Sequence, residues 1–218
     1  MIQTLFVTAT GTDVGKTFIA CELLREMTRR RIEIEPFKPV LSGFTDAETS
    51  DAGRLLRARG RSLIDFAKVS PLRFKAPLAP PSAARAEGVE LRLSQLVQLC
   101  RERMTGPLLI EGAGGVMSPI AEDGTNLDLI AELDVPALLV TGSYLGAVSH
   151  TLTAIEAMRV RKVDIVAVVV SESEGEAPPL SEIEGALARF APGVPRFTAE
   201  RKRDFNVGRF AESLYRAR

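Results

Sequence analysis

Short apolar runs alternate along the chain with longer stretches whose apolar residues recur every three or four positions. Ile2 to Thr8 is the first such run and predicts a strand, and Lys16 to Arg30 carries the helical spacing that predicts the next element. Ile34 to Phe37 predicts a second, shorter strand. Ser94 to Met104 predicts a helix leading into a third strand that ends with Leu108 to Ile110. Ala137 to Val140 and Ile165 to Val170 predict a fourth and a fifth strand, joined by a helix from near Gly146 to the region of Val160. Several of these strands are apolar without alternation, so both of their faces must be covered. Strands separated by helices pair in parallel and carry helices on both sides. The pattern therefore predicts an α/β fold built on a doubly wound, mostly parallel sheet flanked by helices.

Two stretches depart from this rhythm. Ser70 to Glu87 holds Pro71, Pro77, Pro80 and Pro81. Proline fixes φ and removes an N–H donor, so the segment is predicted to be a loop, and loops of that length in compact domains tend to be functional or mobile. Glu172 to Pro179 is acidic, contains proline and predicts a surface loop. Neither an internal repeat nor a linker is visible, and residues 1–218 suit one domain better than two.

Composition narrows the partners. Hydrophobic residues make up 45% of the chain, which is ordinary for a globular protein. The 28 Lys and Arg residues balance the 28 Asp and Glu residues. That removes the excess positive charge on which nonspecific nucleic-acid binding leans. No apolar stretch has the length to span a bilayer, and Leu5 to Val7 follows Met1 without a charged n-region. Cys21 and Cys100 lie in helical stretches and form no ligand-spaced cluster. Two buried free thiols suit a reducing compartment, so a cytoplasmic location is expected, with no membrane and no nucleic acid as partner.

The chemistry concentrates at strand ends. Ala9-Thr10-Gly11-Thr12-Asp13-Val14-Gly15-Lys16-Thr17 follows a predicted strand and opens a predicted helix, as a phosphate-binding loop must. Glycine lets the backbone approach phosphate oxygens, and a helix N-terminus offers unpaired N–H groups with a partial positive charge. Lys16 is placed to reach β- and γ-phosphates, and the Thr17 hydroxyl to ligate Mg²⁺. The strict pattern wants glycine where Thr10 stands, and Gly11 comes one residue late. Gly-Lys-Thr at such a junction nevertheless weighs against an ordinary turn.

Lys38 and Ser42 stand where open α/β sheets bind ligands, and a second lysine beside Lys16 would offset charge on a transferring phosphoryl group. The competing reading of Lys38 is a solvated side chain. Glu111 follows Leu108-Leu109-Ile110, where phosphate-loop enzymes hold an acidic Mg²⁺ partner, although a carboxylate there can also cap a helix. Asp51, taken alone after Ser50, reads as a helix N-cap. Gly112, Gly114 and Gly115 suit either close approach to a ligand or a structural turn.

These segments resemble, in order, the motifs of the dethiobiotin synthetases. The phosphate loop is similar to theirs, with Ala9 in place of a glycine. Lys38-Pro39-Val40-Leu41-Ser42-Gly43, Ser50-Asp51-Ala52 and Glu111-Gly112-Ala113-Gly114-Gly115 match further family segments, as does Leu145-Gly146 with His150. The resemblance implies a P-loop NTPase type of sheet, ATP as co-substrate and Mg²⁺ as cofactor. It implies 7,8-diaminononanoate, CO₂ and a nucleotide triphosphate as substrates. One substrate amine attacks CO₂, the resulting carbamate oxygen attacks the γ-phosphate, and the second amine then closes a ureido ring and releases phosphate.

Carried over by motif, Lys16 and Lys38 become catalytic. Thr12, Asp13, Val14, Gly15, Lys16, Thr17 and Phe18 bind nucleotide, with Ser171 at the base. Thr12, Ser42, Gly112, Ala113, Gly114 and Leu145 bind substrate, and Thr17, Asp51 and Glu111 bind the metal. A homodimer is implied as well, with Tyr144 to His150 reaching the neighbour.

The chain departs from the family at the base. Relatives place an Asn-Asp pair after the fifth strand, where the Asn amide reads adenine, whereas this chain has Ser171-Glu172. A serine hydroxyl cannot make the two-point contact of an amide. Val194-Pro195-Arg196-Phe197 also replaces a family Gly-x-Ile-Pro segment. His150, the chain's one histidine, is expected to be a partly packed helix residue without a catalytic role. Two other functions stay open from the residues alone. A partitioning ATPase would carry an extra lysine early in the loop, and Ala9 to Val14 has none. An amidating synthetase of the cobyrinate type needs a glutamine-hydrolysing domain for which 218 residues leave no room.

Overall fold

A computed structural model describes residues 3–201. β1 (Thr4–Ala9) runs through the glycine-rich loop into α1 (Lys16–Arg29), followed by β2 (Glu35–Phe37), β3 (Val40–Ser42) and α2 (Asp51–Arg59). Next come α3 (Phe66–Val69), β4 (Leu72–Phe74), α4 (Pro80–Ala86), α5 (Leu93–Arg103) and β5 (Leu108–Glu111). A small hairpin of β6 (Pro119–Ala121) and β7 (Gly124–Thr125) precedes α6 (Asn126–Leu133) and β8 (Ala137–Gly142). α7 (Ala147–Val160), β9 (Ile165–Ser171), α8 (Leu180–Phe190) and β10 (Arg196–Ala199) complete the described chain.

The main sheet has the order β10-β9-β8-β1-β5-β2, and each neighbouring pair is parallel. β1, β5 and β8 form its centre and are buried along their whole length, as apolar runs without alternation require. Side chains alternate between the faces. Phe6, Leu108, Ile110, Leu139, Val168 and Val170 pack against α5, α6, α7 and α8. Leu5, Val7, Leu109, Leu138, Val140 and Val169 pack against α1 and against Leu55 and Ala58 of α2. The sheet is therefore doubly wound. Its C-terminal edge beside β1, with β5 on one side and β8 on the other, is the crevice where such folds bind ligands.

Several boundaries and elements differ from the sequence pattern. The first strand begins at Thr4, and Ile2 lies outside the described residues. Ser70 to Glu87 is not a continuous loop, because Leu72–Phe74 pairs in parallel with β3 and Pro80-Pro81 opens α4. First-turn N–H groups have no helical partner, so proline at that place ends nothing. Ser50, not Asp51, caps α2: its hydroxyl accepts from the Gly53 N–H at 3.2 Å, and Asp51 is the first helical residue. Helices α6 and α8 and the edge strand β10 are additional to the predicted elements.

Glu172 to Pro179 is a loop as expected. Cys21 and Cys100 are buried free thiols, and burial pushes both up to about 12, far from a reactive thiolate. No described helix is long and apolar enough to cross a membrane.

Candidate active site

The phosphate loop turns from β1 into α1 with Gly15 at φ 98°. A Cβ there would lie 2.4 Å from the Ser171 Oγ at the end of β9, so both the dihedral and the space demand glycine. The first turn of α1 carries no acidic residue, and its positive end is left for a ligand. Lys16 is nevertheless buried. Burial pulls its pKa below the ordinary lysine value, and the neighbouring Lys38 charge pulls it further.

Lys38 leaves β2 with its N–H bonded to the Val69 carbonyl at 2.8 Å, and its side chain runs under the cleft. Its Nζ lies 2.6 Å from Glu111 Oε1, 3.1 Å from Asp51 Oδ2 and 3.3 Å from the Gly112 carbonyl oxygen. Burial opposes the Lys38 charge, but the Glu111 and Asp51 carboxylates outweigh it and hold the ammonium above its ordinary pKa. Lys38 in turn holds the Asp51 carboxyl below the usual carboxylate range.

Glu111 ends β5 with no exposure, and its Oε1 also accepts from the Thr17 hydroxyl at 2.8 Å. Its Oε2 is buried without a hydrogen-bond partner. A hydroxyl, one half-open carboxylate and one buried carboxylate with an unsatisfied oxygen suit a hard divalent cation such as Mg²⁺, whose other ligands are waters and phosphate oxygens.

Lys16, Thr17, Lys38 and Asp51 line a cleft of about 540 Å³, and Glu111 is buried behind it against Lys38 and Thr17. The structure brings Thr12, Asp13, Gly15, Lys16, Thr17 and Phe18 to its walls, together with Lys38, Ser42, Asp51, Ala113 and Gly114. Gly112 meets the site through its carbonyl on Lys38, and Val14 packs against the α1 face of the core.

Three predicted residues stand apart. Ser171 is fully buried behind Gly15. Leu145 is 94% exposed and lies outside the cleft. His150 is exposed rather than partly packed, with its Nδ1 2.9 Å from the Tyr144 hydroxyl. Arg54 and Arg201 line the cleft without having been expected there, and Ser173 and Glu174 line it from the loop after β9, whose backbone could contact a nucleotide base. Arg54 follows Asp51 by one turn of α2, a signal available once that helix is recognised. Arg201 is tied to the Glu172–Glu174 loop by bonds to the Glu172 carbonyl (2.8 Å) and to Glu174 Oε1 (2.6 Å), a distant pairing with no local signature.

Comparison with known proteins bears on this geometry. A family model described as an AAA domain matches residues 3–200. An ATP-dependent dethiobiotin synthetase BioD of Phenylobacterium zucineum (strain HLK1) is 53% identical over 205 residues, covering 90% of this chain and 88% of that protein. A protein of the same name from Caulobacter sp. (strain K31) is 47% identical over 219 residues, covering 98% of this chain and 94% of its own length. Among solved structures, a ParA family ATPase from Chlorobium tepidum TLS superposes with a TM-score of 0.53 at 13% identity, covering 98% of this chain and 88% of that one. That last likeness carries the sheet architecture alone.

Proposed function

The chain belongs to the ATP-dependent dethiobiotin synthetase family, and on that footing we propose that it closes the ureido ring of 7,8-diaminononanoate with CO₂, using ATP and Mg²⁺ in biotin synthesis. The observation that carries the reading is the convergence of Lys16, Lys38, Thr17, Asp51 and Glu111 at the N-terminus of α1. Both nucleophiles in this reaction are amines of the substrate. The protein therefore supplies orientation and charge stabilisation.

One amine attacks CO₂ and loses a proton to give a carbamate. A carbamate oxygen then attacks the γ-phosphorus and ADP leaves. The second amine attacks the activated carbonyl, phosphate leaves, and the ring is closed. Lys16 bears on the phosphate oxygens. Lys38, fixed between Asp51 and Glu111, keeps a full positive charge beside the transferring group. Thr17, Asp51 and Glu111 would hold Mg²⁺, which neutralises phosphate charge. Free buried thiols agree with a cytoplasmic enzyme. Phosphate release that needs both ATP and the diamine, with dethiobiotin as the product, is the expected result. ATP hydrolysis indifferent to the diamine would overturn the reading.

The metal assignment makes its own prediction. Asp51→Asn keeps the side-chain shape but removes a charge from the cation site, so the Mg²⁺ concentration for half-maximal rate is expected to rise about tenfold or more. An unchanged Mg²⁺ curve in the variant would take Asp51 out of the site.

Base choice is expected to be relaxed. Ser171 faces the back of Gly15 and is buried, while the Ser173 hydroxyl accepts from the Ser143 N–H at 3.0 Å. Neither offers the paired donor and acceptor of an amide. GTP and CTP are expected to support kcat/KM within about tenfold of ATP, roughly 1.4 kcal/mol. An ATP preference above about a thousandfold would mean that another element reads the base.

A two-fold homodimer is the proposed assembly. Two-fold closure is the commonest homo-oligomer, and the turn before α7, where the motif resemblance puts the partner contact, is exposed at Leu145 and Gly146. Sedimentation of active enzyme should show a dimer, and a fully active monomer would defeat the proposal.

A further inference from the structure

Asn126 is fully buried at the start of α6, and nothing in the reaction above uses it. Its side chain serves one loop. Nδ2 donates to the carbonyl oxygens of Ala113 at 2.7 Å, Gly115 at 2.9 Å and Ser118 at 3.3 Å, and Oδ1 accepts from the Ala113 N–H at 3.3 Å. The backbone adds to this grip: the Asn126 N–H donates to the Ser118 carbonyl at 3.1 Å, and the Leu127 N–H to the Val116 carbonyl at 2.9 Å. A reciprocal cap between Thr125 and Asp128 fixes the helix start itself. A buried amide is costly unless its atoms are paired, and here all of them are paired to the segment that follows β5.

The consequence concerns which edge of the loop meets the ligand. Carbonyl oxygens turned into the cleft would repel the oxygens of a carbamate or a phosphoryl group. Three of them are instead drawn to Asn126. The loop's N–H groups at Gly112, Gly115 and Val116 are held by the Val7 carbonyl (3.1 Å), the Ser118 hydroxyl (2.8 Å) and the Ala9 carbonyl (2.7 Å). Among the described residues the Gly114 N–H has no such partner, and Gly114 lines the cleft next to Thr12. Gly114 sits at φ +77°, and a Cβ there would lie 2.7 Å from Ser118 Oγ, so the turn is also locked from beneath.

We propose that Asn126 is a positioning residue of the ring-closing site: it draws the carbonyl oxygens of residues 113, 115 and 118 inward, so that the loop offers the Gly114 N–H to an anionic oxygen of the carbamate. The proposal rests on the ring-closure reading above.

Asn126→Asp puts a carboxylate against the same three carbonyl oxygens, and Asn126→Ala removes the clamp. The kcat/KM for 7,8-diaminononanoate is expected to fall at least about a hundredfold in the first and about tenfold in the second, because misplacement by an ångström has effects of that order. Dissociation constants for Mg·ATP should stay within about threefold of wild type, since the phosphate loop keeps its own bonds. A folded Asn126→Ala enzyme with diamine kcat/KM within about twofold of wild type would overturn the proposal, as would equal losses in nucleotide and diamine binding.

Should neither variant fold, residue-resolved amide exchange on the ligand-free wild-type protein decides. The Ala113 amide, held by Asn126 Oδ1, and the Asn126 and Leu127 amides, held by the Ser118 and Val116 carbonyls, are expected to be protected and Gly114 unprotected, and Ala113 exchange as fast as that of Gly114 would overturn the clamp. Wild-type enzyme that makes no dethiobiotin would sink the ring-closure reading, and the exchange pattern would still judge the loop.

Discussion

Lys16→Met is expected to lower kcat at least about a thousandfold while leaving the ligand-free protein no less stable than wild type. The kinetic half follows from a point charge on transferring phosphate oxygens, which methionine cannot supply. The stability half follows from the surroundings of Lys16. The ammonium is buried, and burial followed by the Lys38 charge lowers its pKa, with Glu111, Asp51 and Asp13 opposing only in part. A lysine that holds its proton less tightly when folded than when unfolded destabilises the fold while it is charged. That penalty is present at neutral pH and fades as pH rises toward the ordinary lysine value. Methionine fills similar space without the charge.

Melting curves without ligand should therefore place the variant at or above wild type near pH 7, with the gap closing at alkaline pH. Added Mg·ATP should raise the melting temperature of wild type and raise that of the variant far less, because stabilisation by a ligand tracks its affinity. Near-normal turnover in a folded variant would remove Lys16 from the phosphate site. A ligand-free stability loss above about 2 kcal/mol would show it to be a structural ion-pair partner instead.

The parts of this site that the sequence makes legible are those set by local rules. A strand, a glycine-bearing turn and a helix opening with Lys16-Thr17 define the phosphate loop within a few residues. Glu111 is placed by the apolar run before it. Lys38 and Asp51 are assigned by motif, and the sheet then brings them to within 3.1 Å of each other.

What stays hidden is set by contacts between distant segments. Asn126 reads as an unremarkable residue after Thr125, and its meaning comes from carbonyl groups between 8 and 13 positions upstream. Ser171 occupies the expected place in sequence, yet its burial against Gly15 depends on how tightly two strand ends pack. Prolines conceal α4 because Pro80 and Pro81 open a helix as readily as they break one. β10 is half-buried and mixed in character, so neither alternation nor an apolar run announces it.

Glu111→Gln and Lys38→Met should each destabilise the protein by about 3 kcal/mol or somewhat more, whereas the double variant should recover at least about 1 kcal/mol of the summed loss. Lys38 and Glu111 are both buried and meet at 2.6 Å. Removing either partner leaves the other charge in a poor dielectric. Asp51 softens the loss in Glu111→Gln, since its Oδ2 remains 3.1 Å from Nζ. Lys38→Met has less relief, because Glu111 and Asp51 then keep only Lys16, which pairs directly with neither, as a counter-ion, and it should be the worse single variant.

The signs with pH are fixed by the same geometry. The raised Lys38 pKa contributes stability that is present below the ordinary lysine value and is lost as pH rises through the folded value. The lowered Asp51 pKa contributes stability that is present above the ordinary carboxyl value and is lost as pH falls through the folded value. Wild type should therefore hold its advantage across neutral pH and lose it at both extremes.

Turnover separates structure from chemistry. All three variants are expected to lose at least about a hundredfold in kcat, the double variant included, because recovered packing does not replace a charge beside the phosphoryl group. Denaturant titration together with steady-state rates measures both quantities on the same samples. Additive stability losses would show that the two side chains do not interact in solution, and a double variant regaining activity along with stability would show that the pair serves the fold and not the reaction.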